Sequence, residues 1–148
     1  MGNLSTKLIE IQGKTILEMK IGDRAFFRKT ITETDVTLFA GITGDLNPLH
    51  IDYEYAATTQ FKRPLAHGVI GVGMLVGAMA NQLPGGVLLG QNVRFLQPVY
   101  IGDTITAYVE VIDKDEDKDL IDFRIWCENQ NGLVVMDGTA QGLVKKRK

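Results

Sequence analysis

The apolar run from Gly68 to Ala80 constrains the fold more than any other stretch of this chain. It holds four glycines, Gly68, Gly71, Gly73 and Gly77, and Pro84-Gly85-Gly86 closes it. The run is shorter than the roughly 18 apolar residues that span a bilayer, and it matches a buried helix, expected from Gly68 to Leu83. Each glycine costs a helix interior roughly 1 kcal/mol relative to alanine. Such a helix therefore needs compensation from tertiary packing. A helix almost bare of side chains on one face gains it by lying tightly against a sheet.

The rest of the chain supplies that sheet. Val87 to Phe95, Asp103 to Val111, Leu120 to Asn129 and Leu133 to Val144 read as strands. A charged hairpin loop is expected at Asp113 to Asp119, and a tight turn at Asn129-Gln130-Asn131-Gly132, where glycine suits a positive φ. Ala25 to Thr30 reads as the first strand of the main sheet. Residues 1–24 form an N-terminal extension with a short strand expected at Thr15 to Met19. Thr32 is set to cap a helix, with Asp35 three residues on and Val36, Phe39 and Ala40 at helical spacing. That helix should end at Gly41 to Gly44, and a second short one should run from Tyr53 to Thr59. One strand, then helices, then four antiparallel strands is an α+β pattern, expected here as a single domain over residues 1–148. One helix covers one face of a sheet, so the other face meets solvent or a second subunit.

Composition removes several function classes. With 16 basic and 18 acidic residues the net charge is -2, which gives no general attraction to nucleic acid or to anionic membranes. The basic tail Lys145-Lys146-Arg147-Lys148 reads as a solvated terminus. Met1 to Ile11 has no apolar core of signal-peptide length. The single cysteine, Cys127, forms no internal disulfide and fits a reducing, cytoplasmic setting. One cysteine and two histidines are too few for the usual structural zinc sets.

Both histidines sit in small polar clusters flanked by apolar sequence. Asp45-Leu46-Asn47-Pro48-Leu49-His50 brings a carboxylate, an amide and an imidazole into one loop. Pro48 lacks a backbone donor and biases Asn47 toward an extended shape, so Asp45 to Pro48 is not a helix interior. In a turn held by Gly44 and Pro48, Asp45 and His50 can converge on one water, removing its proton and later returning it. Asn47 either orients a substrate or ties the loop together. Asp-x-Asn-Pro is also ordinary turn chemistry, so the loop alone leaves a structural role open. The second cluster, His67-Gly68, opens the long helix. A helix N-terminus presents unpaired N–H groups and a partial positive charge, and Gly68 has no side chain to block a carbonyl oxygen approaching it. His67 either joins that binding end or hydrogen-bonds a neighbouring carbonyl. Lys62 and Arg63 lie nearby, as phosphate contacts or as a solvated loop.

Taken with Gly90-Gln91-Asn92-Val93-Arg94-Phe95 and Pro98-Val99-Tyr100-Ile101-Gly102-Asp103, the stretch from Phe39 to Asp52 and on to Gly68 resembles the MaoC-like, or (R)-specific enoyl-CoA hydratase, branch of the hot-dog fold. The likeness covers about residues 25 to 145. It implies a curved antiparallel sheet around the long helix. It also implies homodimers, or higher homo-oligomers, whose sheets join edge to edge. The implied chemistry is a hydro-lyase reaction of fatty acid metabolism, with no metal or redox cofactor. It is the reversible syn hydration of a trans-2-enoyl thioester, carried by CoA or by acyl carrier protein, to the (R)-3-hydroxyacyl thioester. Residue by residue, Asp45 and His50 match the catalytic pair and Asn47 the third polar residue. Gly68, with His67 beside it, matches the end that binds the thioester oxygen. Some relatives carry a serine along the central helix; Gly73-Met74-Leu75-Val76-Gly77 has none. An acyl pocket is expected between that helix and Tyr53 to Phe61. Two rival activities fit the same fold, an acyl-CoA thioesterase and a non-catalytic acyl-CoA-binding module.

Overall fold

The computed structural model describes residues 10–146; residues 1–9 of the N-terminal extension and the last two of the basic tail lie outside it. Nine elements follow in order: β1 Arg24–Thr30, α1 Glu33–Thr43, α2 Pro48–Ile51, α3 Tyr53–Thr58, α4 Gly68–Ala80, β2 Val87–Phe95, β3 Thr104–Asp115, β4 Leu120–Glu128 and β5 Val134–Leu143. The five strands form one antiparallel sheet in the order β1-β3-β4-β5-β2. Alternation along β3 and β4 turns Ile105, Ala107, Val109 and Val111, and Ile121, Phe123, Ile125 and Cys127, inward, as a period of two requires. α4 lies in the hollow of this sheet and buries Met74, Leu75, Ala78 and Met79 against it.

β5 supplies the tightest part of the wrap. Its inward residues Met136, Gly138, Ala140 and Gly142 pair with Cys127, Ile125, Phe123 and Ile121 of β4. A side chain on Gly138 would put its Cβ 1.9 Å from the Asn92 carbonyl oxygen of β2. Only a glycine lets the two backbones run this close.

α1 begins at the expected cap. Thr32 Oγ1 accepts the Asp35 N–H at 3.1 Å, and Asp35 Oδ2 accepts the Thr32 N–H at 2.8 Å, a reciprocal capping box. Burial pushes the Asp35 carboxyl up, but the Lys29 ammonium and the Thr32 N–H and hydroxyl together hold it below its ordinary value. Gly44 closes α1 with φ 77°, the left-handed cap that glycine permits.

Several expectations are corrected. Thr15 to Met19 is a single turn, not a strand, with the Glu18 and Met19 N–H groups both donating to the Thr15 carbonyl. Ile11, Ile16 and Met19 are fully buried there, and Gly13 N–H and Ile16 N–H donate to the Gln82 and Lys145 carbonyls. The segment thus plugs the end of the sheet below α4, and its backbone bonds go to loop carbonyls rather than to a neighbouring strand. α4 ends at Ala80, short of Leu83. β3 and β4 extend into the expected loop, leaving a turn at residues 116–119. Pro48 opens a further short helix, α2, the first-turn position where its missing N–H costs nothing. Close packing explains only two of the four glycines of α4. A Cβ on Gly68 would meet Phe95 at 2.6 Å and one on Gly71 would meet Met136 at 2.7 Å, whereas Gly73 and Gly77 have nothing within 4 Å.

Candidate active site

The polar loop is built by its own side chains. Asp45 N–H donates to Thr43 Oγ1 at 3.2 Å, and Asp45 Oδ1 accepts the Asn47 N–H at 3.3 Å. Asn47 Oδ1 caps α2 by accepting the Leu49 N–H at 3.0 Å. Asn47 therefore spends its side-chain oxygen on the loop, the second of the two roles open to it. His50 ends up on α2, with its Nδ1 2.8 Å from the Leu65 carbonyl oxygen. A carbonyl only accepts, so Nδ1 carries the proton and Nε2 of the neutral ring keeps its lone pair.

His67 completes the cluster from the mouth of α4. Its side chain is buried, its ring lies 3.9 Å from that of His50, and its other face meets Phe39 at 4.6 Å. Its Nε2–H donates to the Asp45 backbone carbonyl at 3.0 Å and stands 3.9 Å from the carboxylate. Ligand atoms of Asp45, His50 and His67 all lie within 4.8 Å of one another. One water hydrogen-bonded at about 2.8 Å to each of two groups fits that separation.

Gly68 is the first residue of α4, so its N–H has no partner within the helix. It lines an open groove of about 380 Å³ with His50, Phe61, Leu65, Phe95 and Val135. The groove thus brings one acid–base side chain and one helix N-terminus to a single apolar space. Of the stretch Tyr53 to Phe61, only Phe61 reaches it; Tyr53 and Tyr55 face outward, 55% and 48% exposed. Phe95 lies over Gly68, a contact not readable from a strand residue 27 positions away. The Leu65 carbonyl, which sets the His50 tautomer, was equally hidden, since a backbone atom leaves no mark on residue type. Cys127 is no rival nucleophile: it is buried under α4, and burial pushes its thiol up to about 12.

A family profile described as a MaoC-like domain matches residues 18–131. The (R)-specific enoyl-CoA hydratase of Rhodospirillum rubrum is 39% identical over 132 residues, 88% of this chain and 91% of that protein. A mitochondrial 3-hydroxyacyl-[acyl-carrier-protein] dehydratase of Arabidopsis thaliana is 34% identical over 137 residues, 90% of this chain and 81% of that one. Among solved structures, the unliganded R-hydratase PhaJ1 of Pseudomonas aeruginosa superposes with a TM-score of 0.85 at 37% identity, covering 90% of this chain and 86% of its own. The sheet wrapped on α4 is the hot-dog fold, and the chain belongs to the MaoC-like domain family.

Proposed function

We propose that this protein is an (R)-specific enoyl-CoA hydratase, a hydro-lyase that adds water across C2 and C3 of trans-2-enoyl thioesters and reverses the reaction as a 3-hydroxyacyl dehydratase. The observation that carries this is the Asp45–His50 pair, close enough to share one water, beside the free N–H of Gly68. The thioester oxygen binds the Gly68 N–H, where the helix end favours the negative charge that grows on the enolate. The water between Asp45 and His50 gives a proton to the pair as its oxygen attacks C3. His50 Nε2 is the group built to accept it, because its other nitrogen is committed to Leu65. The pair then returns a proton to C2 on the same face, so the addition is syn. Asn47 holds the loop, and His67 acts beside Gly68 as a positioning residue that fixes the Asp45 backbone and the plane of His50.

The test is direct. Crotonyl-CoA should lose its enoyl ultraviolet absorbance with the enzyme, and chiral analysis should give the (R)-3-hydroxy product. Release of free thiol from a saturated acyl-CoA would instead favour a hydrolase, and binding with no absorbance change would favour a non-catalytic module.

A homodimer acting in fatty acid metabolism in the cytoplasm completes the proposal. The two sheet edges differ. β1 is short and carries Arg24, Arg28 and Lys29, a charged edge that discourages pairing. β2 is longer and exposes Val87, Leu88, Leu89 and Phe95 by 40–57%. On the adjoining α4, Val69 is 51% exposed, and Gly73 and Gly77 have open space beside them. Both surfaces fit a second copy of the chain. Sedimentation at micromolar concentration should give a dimer or larger; a monomer would refute this part.

A further inference from the structure

We propose that Lys62 and Arg63 form the seat for a phosphate of the thioester's carrier. This rests on the hydratase activity proposed above and names what that site holds beyond the acyl group.

The two residues stand out as an adjacent pair of bases with neither charge paired. Lys14, Arg24, Lys29, Lys114, Lys118 and Lys146 are each held by a carboxylate. Lys20, Arg28, Arg94, Arg124 and Lys145 have no carboxylate partner either, but among the described residues only Lys62 and Arg63 are adjacent bases of which neither has one. They are exposed on the loop that borders the groove. Phe61 and Leu65, on either side of them, line the groove that holds His50 and Gly68, and the Leu65 carbonyl is the acceptor of His50 Nδ1–H.

The local structure holds these charges in place. The Arg63 guanidinium lies over the Tyr100 ring, 4.0 Å from its centroid. That ring is fixed in turn: the Tyr100 hydroxyl donates to the Phe61 carbonyl at 3.4 Å, and Tyr100 bridges Leu65 by backbone pairing. A guanidinium stacked on an aromatic face keeps the N–H donors along its edge free, and that planar fork matches two phosphate oxygens. Lys62 holds a left-handed backbone, φ 66°, in the turn closed by its N–H on the Thr59 carbonyl. Non-glycine residues seldom occupy that region; among the described residues Asp119, in the β3–β4 turn, is the other that does. An ammonium adds a point charge next to the fork. The partner they fit is a phosphate ester on the arm that carries the thioester. In coenzyme A this is the pantetheine phosphate or a phosphate of the nucleotide; in acyl carrier protein it is the pantetheine phosphate alone.

The test compares three thioesters on the full chain and on the double variant Lys62→Gln/Arg63→Gln. Crotonyl-CoA, crotonyl-4′-phosphopantetheine and crotonyl-pantetheine share the reacting atoms and differ in phosphate. In the double variant the preference for crotonyl-CoA over crotonyl-pantetheine, as a ratio of kcat/KM values, should fall about tenfold, through KM rather than kcat. A ratio within one variant does not depend on how much of the protein is folded. A matching fall for crotonyl-4′-phosphopantetheine identifies the phosphate as the one shared with carrier protein. A fall for crotonyl-CoA alone identifies a nucleotide phosphate; both support the seat. An unchanged ratio, or equal losses for all three substrates, overturns it. Failure of the unaltered protein to hydrate any of the three would overturn the hydratase activity instead.

Discussion

Asp45→Asn and His50→Ala should each lose at least about 100-fold in the hydration of crotonyl-CoA, because each removes one general acid–base partner. The loss should fall mainly on kcat, since the apolar residues that line the groove, Phe61, Leu65, Phe95 and Val135, are untouched by either change. Asp45→Asn keeps the Oδ1 that accepts the Asn47 N–H, so the loop survives and only the charge is lost. His50→Ala also frees the Leu65 carbonyl, and circular dichroism must show a native fold for the rate to be interpretable. His67→Phe extends the series. It keeps a ring between Phe39 and His50 but removes the N–H that holds the Asp45 carbonyl. The expected loss is smaller, on the order of tenfold in kcat with KM retained, as suits a group that never meets the water. Near-normal turnover by either Asp45→Asn or His50→Ala would sink the acid–base assignment. A His67→Phe loss as large as theirs would promote His67 to the reacting set.

The largest effect on stability is expected at Gly138, on the strand farthest from the polar loop in sequence. Gly138→Ala sets a methyl 1.9 Å from the Asn92 oxygen, 2.9 Å from its carbonyl carbon and 3.0 Å from the Val93 Cα. All three are backbone atoms of β2, so no rotamer change relieves the clash, and β2 and β5 must separate. Overpacking of this kind costs about 3 kcal/mol or more, which for a chain of this size lowers Tm by roughly 6–12 °C. Gly71→Ala makes the useful contrast. Its clash is with Met136 Cε at 2.7 Å, the end of a flexible side chain that can turn away, so its penalty should be much smaller. A thermal melt of Gly138→Ala within about 2 °C of the unaltered protein would show that the β2–β5 approach is looser than described.

The two predictions differ in how far the chain itself announced them. Asp45 and His50 were legible as candidates because their loop is matched by the Gly68 helix end and carries the family pattern, and because the capping and turn chemistry that shapes the loop is local. The Thr32–Asp35 box, the Gly44 cap and the Gly132 turn were legible for the same reason: each joins residues within four positions of one another. Gly138 was not singled out. Its neighbour Asn92 lies 46 positions away, and a glycine in a strand does not state which backbone it admits. The turn at Thr15 to Met19 was not legible, because buried Ile16 and Met19 satisfy a strand pattern as well as a plug pattern, and only the Thr15 and Lys145 carbonyls decide between them.

By itself the sequence determined the α+β order, the long glycine-bearing helix and the residue types of the acid–base loop, since these rest on local periodicity, capping and side-chain chemistry. The tertiary structure alone decided three further matters: which nitrogen of His50 is free, what His67 holds, and which glycines of α4 pack closely, Gly68 on Phe95 and Gly71 on Met136, while Gly73 and Gly77 meet nothing in their own chain. Each is a contact between segments distant along the chain, where the energy depends on a distance of a few tenths of an ångström. No spacing within one segment encodes such a distance.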